Sequence, residues 1–135
     1  MSSTLNFEEW TQFLNNATVG IHLVGSDGTI LWANNPELEA LGYSKDEYVN
    51  RSITDFHVDK DVIDRILATL VGGGSLNNYP ARMRAKDGSI KHVLINSNVF
   101  RKDGTFEHTR CFTSVVSAPI YNQLRAELQE ASNTK

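Results

Sequence analysis

The residues in this chain able to do chemistry are few: four histidines, His22, His57, His92 and His108, and one cysteine, Cys111. A single cysteine cannot close an intramolecular disulfide. His108 and Cys111 stand three positions apart, so on a strand they point to opposite faces and cannot share a metal. No other Cys/His spacing has the form of a zinc site, and no metal centre is expected. Asp55, His57 and Asp59 have the makings of an acid–base cluster, but carboxylates near a helix start serve more simply as N-terminal caps. Gly72-Gly73-Gly74-Ser75 lacks the Gly-Lys-Ser/Thr ending of a phosphate-binding loop, and it follows a helix where such a loop follows a strand. No histidine stands in the His-Glu-Leu-x-x-Pro-like setting of a kinase phosphoacceptor. The expectation is a protein that is not an enzyme, with Cys111 a buried strand residue.

The elements that must position these residues are announced by three turns. Asp27-Gly28, Asp87-Gly88 and Asp103-Gly104 each separate two runs rich in β-branched and aromatic residues. Asp-Gly suits the two-residue turn of a β-hairpin, because the turn needs a positive φ that glycine adopts freely. The last two turns join three consecutive strands, about Asn78 to Ala85, Ile90 to Phe100 and Phe106 to Val116. The first joins Val19–Val24 to Thr29–Asn34. Between these groups lie a helix with Pro36 in its first turn, ending at Gly42, and a Ser44-x-x-Glu47 capping box. A longer helix follows, capped by Asp59, with Val62, Ile63, Ile66, Leu67, Leu70 and Val71 at helical spacing. Phe7 to Asn15 forms an amphipathic helix capped by Asn6, with Phe7, Trp10, Phe13 and Leu14 on one face. Pro119 breaks the last strand, and a closing helix from Ile120 to Ala131 sets Tyr121, Leu124, Leu128 and Ala131 at coiled-coil-like spacing. Grouped strands around a helical block give an α+β fold.

Composition limits the partners. A net charge of −3, a pI near 5.8 and no Lys/Arg cluster give no footprint for nucleic acid or an anionic membrane. No apolar run approaches the ~20 residues that span a bilayer. The first residues lack the basic and apolar regions of a signal peptide, so a cytoplasmic location is expected.

The residues in this order resemble the PAS family. The hairpin Val19 to Asn34 resembles the family's opening, including the asparagine that ends its second strand. Leu41-Gly42-Tyr43-Ser44 resembles its "LGYS" segment, Phe56-His57-Val58-Asp59 its "hPdD" segment, and Arg84-Ala85-Lys86-Asp87-Gly88 its "rrkDG" turn. Each is weak alone; together, at family spacing, they are specific. The likeness covers about Phe13 to Ser117 and divides the chain into a cap helix (1–16), a PAS core (17–117) and a C-terminal linker helix (118–135). Val58 replaces a proline and Asn50 a glycine. Where many relatives close with Asp-x-Thr this chain has Val115, Val116 and Ser117, which keeps the hydroxyl and lacks the acid of the usual output coupling.

The resemblance implies a five-stranded antiparallel sheet in the order 2-1-5-4-3, helices on one face, and a role in sensing or dimerisation. It also implies tests for cofactors. Flavin-binding relatives of the LOV type carry a cysteine in the helical block and asparagines on two strands. Here Pro36 to Val71 contains no cysteine, and the matching strand positions are Met83 and Val93, so flavin is not expected. Haem-binding relatives supply a histidine from the long helix. His57, just upstream, is the nearest candidate, and it reads first as a loop or capping residue. What remains is a small, mostly apolar pocket. By the resemblance Trp32, Ile66, Tyr79, Ala81, Met83, Val93, Ile95, Thr109, Cys111 and Thr113 would line it, unless they simply form the packed core. Phe7, Trp10, Phe13, Tyr121, Leu124 and Leu128 are the candidate homodimer contacts. The expected function is a cytoplasmic sensory module that binds a small ligand or partner and signals to an effector such as a histidine kinase. The alternatives are a ligand-free dimerisation domain and a haem gas sensor using His57.

Overall fold

The three Asp-Gly turns build the sheet in two different ways. In the computed structural model, which describes residues 6–133, Asp103 and Gly104 both have positive φ (53° and 79°) and form the two-residue turn the sequence predicts. At the other two turns only the glycine does, Gly28 and Gly88 each at 88°. There Gly25 N–H donates to Thr29 O and Ala85 N–H to Ser89 O, closing three-residue loops. Asp27 and Asp87 hold them by accepting from the N–H two residues on, at 3.0 and 2.9 Å.

The strands these turns join are β1 (Gly20–Val24), β2 (Ile30–Ala33), β3 (Leu76–Arg84), β4 (Ile90–Lys102) and β5 (Thr105–Val115). All pairs are antiparallel, in the order β2-β1-β5-β4-β3. The register sets His22 opposite Cys111 and Cys111 opposite Ser97. One polar row therefore crosses three strands on the buried side of the sheet.

That side is covered by α2 (Asn35–Leu41), α3 (Lys45–Tyr48), a 3-10 turn (Ile53–Phe56) and α4 (Lys60–Val71). Ser44 and Glu47 form the reciprocal capping box of α3. Asp59 precedes α4 but makes no side-chain cap bond. Its carboxylate is taken instead by Arg82 in a two-bond pair at 2.9 and 2.7 Å, a stronger contact than a cap because both groups are charged. Val62, Ile63, Ile66 and Leu70 turn from α4 onto Ala81, Met83, Val93 and Ile95 to make the core.

The end helices, α1 (Phe7–Asn15) and α5 (Ala118–Asn133), lie outside this core. Pro119 does not break the last strand, which already ends at Val115; it sits in the first turn of α5, where a missing N–H costs nothing. Tyr121 is buried with its ring 5.0 Å from His92. Arg125 lies over Tyr79 and Tyr121 and donates to the Pro80 carbonyl on β3.

Candidate functional site

The interior site grows from Asn34, the residue that follows β2 and caps α2. Asn34 is fully buried, and both ends of its amide are engaged. Its oxygen accepts from Ile21 N–H (2.8 Å) and Glu37 N–H (3.0 Å). Its nitrogen donates to Leu14 O (2.8 Å) and Val19 O (3.1 Å). One side chain thus joins α1, β1 and α2. Three residues on, Glu37 is turned inward and is only 2% exposed. Tyr48 donates its hydroxyl to Glu37 Oε2 at 2.6 Å, and His22 Nδ1 lies 3.2 Å from the same oxygen. The latter contact is a charge pairing set off the line of a hydrogen bond. Gly20 makes room for this carboxylate, since a Cβ there would come within 2.4 Å of Oε1.

Burial alone would push His22 down, but the Glu37 carboxylate and the Cys111 sulfur outweigh it and hold its pKa well above the ordinary value. Burial likewise works to raise Glu37, and the opposing His22 charge at 3.2 Å and the hydroxyl of Tyr48 bring it below the usual carboxylate value. Both shifts favour the imidazolium–carboxylate form of the pair. Tyr48 is pushed up, by burial first and then by Glu37, so its phenol keeps the proton it donates. His57, also buried, is held down at about 4 by burial and then by the His22 charge, and its Nδ1 has no hydrogen-bond partner.

Beside this network, beneath α4, is a cavity of about 20 Å³ lined by His22, His57, Ile66, Ile95, Thr109 and Cys111 among others. That is space for a single water. A haem or a flavin ring does not fit this interior, and His57 faces a void far too small for a porphyrin. Met83 and Val93 fill the core where a flavin would need polar partners.

The remaining expected pocket residues do not form one site. Ile66, Ile95 and Cys111 meet at the cavity, whereas Met83, Val93 and Thr113 are buried away from its wall. Tyr79 lines an open polar cleft between α4 and α5 together with Arg125. Trp32 is on the opposite side of the sheet, in an apolar groove with Phe7, Trp10, Leu23 and Phe112. The cause is a bulge: Leu23 pairs with Trp32 and Val24 with Ile30, leaving Leu31 as an extra residue. The alternation that would set Ile30 and Trp32 on one face is thereby reversed. Of the candidate dimer residues, Phe7, Trp10 and Phe13 are exposed, at 86, 48 and 63%. Tyr121 is spent against His92, Leu124 is half-buried, and Leu128 lines the α4–α5 cleft. Sequence reasoning passed over Glu37 altogether and left His22 and Tyr48 without roles.

The sequence model of the PAS fold matches residues 8–112. This chain belongs to the PAS family. Solved structures share the fold of this PAS domain. The PAS domain of an HTR-like protein from Haloarcula marismortui superposes with a TM-score of 0.70 at 21% identity, covering 81% of this chain and 90% of that one. A PAS domain from a two-component sensor histidine kinase gives 0.68 at 17% identity, covering 82% and 96%. The light-state LOV domain of the photoreceptor Aureochrome1 gives 0.75 at 20% identity, covering 87% and 97%. At these identities the likeness is one of fold. No curated protein matches the chain. Among the described residues no helix is long and apolar enough to cross a membrane.

Proposed function

We propose that this PAS domain is a dimeric signalling module in which changes in the polar interior alter α1, and through it the pairing of two copies. Asn34 is the observation that carries this reading. It bonds the α1 carbonyl of Leu14 with one end of its amide and the backbone of Glu37 with the other. A rearrangement of the Glu37–His22 pair therefore acts on the residue that anchors α1. The helix in turn presents Phe7, Trp10 and Phe13 to solvent beside the groove of Trp32 and Phe112, a surface suited to a second copy. The effector would be a separate domain such as a histidine kinase, and the location cytoplasmic. The closed interior favours, as a second reading, a dimerisation domain that holds no organic ligand in this state. Native mass spectrometry of the full chain separates the two. A dimer carrying an extra small-molecule mass supports ligand sensing, a bare dimer supports the ligand-free form, and a bare monomer contradicts dimerisation.

A further inference from the structure

Cys111 has surroundings that a buried strand residue does not need. We propose that it is an oxidation site, converted to a sulfenic acid by hydrogen peroxide admitted to the cavity beneath α4. This site is independent of the signalling role.

Three polar groups gather at the sulfur. Ser97 Oγ is 2.9 Å from Sγ and Thr109 Oγ1 3.1 Å. Thr109 Oγ1 already accepts from Val24 N–H at 3.1 Å, which leaves its hydroxyl proton to point at the sulfur. His22 faces Cys111 directly across the β1–β5 pairing and shares the cavity wall with it, while Glu37 holds Nδ1 of the same ring. An imidazole between a carboxylate and a sulfur is the arrangement that draws a thiol towards thiolate. Burial opposes this, but the His22 charge and the hydroxyl donors bring Cys111 below its ordinary value.

The cavity supplies an independent observation. It holds about 20 Å³, enough for one water-sized oxygen, and His57 on its wall is 7% exposed with Nδ1 unpartnered. An unpaired buried nitrogen is costly in an ordinary core. An oxygen placed in the cavity gives it a partner. Leu67 is the one residue of the wall that is not buried, so the way in passes its side chain.

The step balances. The Cys111 thiolate attacks one peroxide oxygen, an S–O bond forms and the O–O bond breaks. Sulfur is oxidised by two electrons, and the departing hydroxide takes a proton from the His22 imidazolium and leaves as water. Peroxide carries two oxygens, so one enters the cavity beside the sulfur while the Leu67 side chain gives way to the other. Once the hydroxide has left, the single-oxygen space holds the product at the sulfenic stage.

The test treats the folded full chain with hydrogen peroxide, removes the peroxide, then unfolds the chain in urea with dimedone to trap sulfenic acid and locates the adduct by peptide mass, with Cys111→Ser as control. The expected result is an adduct on Cys111 at a rate proportional to peroxide and insensitive to urea below the unfolding transition. The rate should fall about tenfold in His22→Gln and rise in Leu67→Ala, which trims the half-buried residue on the cavity wall. Labelling seen only when the peroxide itself is given to urea-unfolded chain would overturn the proposal. So would a rate that climbs with urea in step with global unfolding, or one unchanged in folded His22→Gln. Should His22→Gln not fold, an unchanged rate in Leu67→Ala counts against it equally.

Discussion

Glu37→Gln keeps the shape of the interior and removes only its negative charge, so it weighs the buried ion pair directly. Glu37 and His22 are 2 and 3% exposed and 3.2 Å apart. Removing one partner of such a pair typically costs about 3 kcal/mol, because the other is left buried without its counter-charge. For a domain of this size that corresponds to a fall in Tm of roughly 10 °C. The dependence on pH is more telling than the size. In the native chain the pKa of His22 is raised by Glu37 over the opposing effect of burial. Its contribution is therefore complete below the unfolded value of about 6.5 and is lost as pH rises through the folded value. Glu37 is lowered, so its contribution is present above the unfolded value and lost as pH falls through the folded one. In Glu37→Gln burial acts on His22 with no carboxylate to oppose it, and the imidazole is held neutral. The stability difference between the two proteins should thus peak between about pH 4.5 and about 6.5 and shrink as pH rises. Urea unfolding followed by far-UV circular dichroism, at unit steps from about pH 5 to about pH 9, measures it. A difference below about 0.5 kcal/mol throughout, or one that grows with pH, would refute the ion-pair account.

Asn34→Ala should cost about 3 kcal/mol, since it strands buried backbone groups on three elements; hydrogen exchange should quicken at Ile21 and Glu37 if the network is as described, and stay protected if it is not. Gly20→Ala sets a Cβ 2.4 Å from Glu37 Oε1 and 3.1 Å from Glu37 Cα, and should destabilise by about 2 kcal/mol in thermal melts. His57 is held down at about 4 in the fold, so its contribution is present above about pH 6.5 and lost as pH falls towards the folded value. His57→Gln should flatten that part of the acid limb, and an unchanged limb would mean that His57 titrates normally. Trp10→Asp on the exposed face of α1 should abolish any dimer seen by light scattering while leaving the melting temperature within about 2 °C.

Most of the fold was legible because its signals are local. Asp-Gly turns, the Ser44–Glu47 box and the spacing of Val62, Ile63, Ile66 and Leu70 each act over a few residues and agree with one another. The errors arose where local rules meet an irregularity. A one-residue bulge at Leu31 moved Trp32 to the other side of the sheet. Arg82, distant in sequence, claimed the carboxylate of Asp59 from its cap position. The polar interior was the least legible part. Alternation with Val24 could have turned His22 inward, but nothing in the sequence says that Glu37 on a helix would meet it or that Cys111 would lie opposite. Those contacts depend on strand order and on the seating of α2. The difference between a ligand pocket and a filled core is a matter of about 20 Å³, set by how side chains from many elements interlock.

The central claim is that the interior network and the dimer contact are coupled through Asn34. Sedimentation equilibrium of the full chain and of Glu37→Gln, at neutral pH with both folded by circular dichroism, tests it most directly. The account predicts a dimer in the native chain and a dissociation constant shifted by about fivefold or more in Glu37→Gln. Equal constants for the two proteins, or a native chain that stays monomeric throughout, would contradict it.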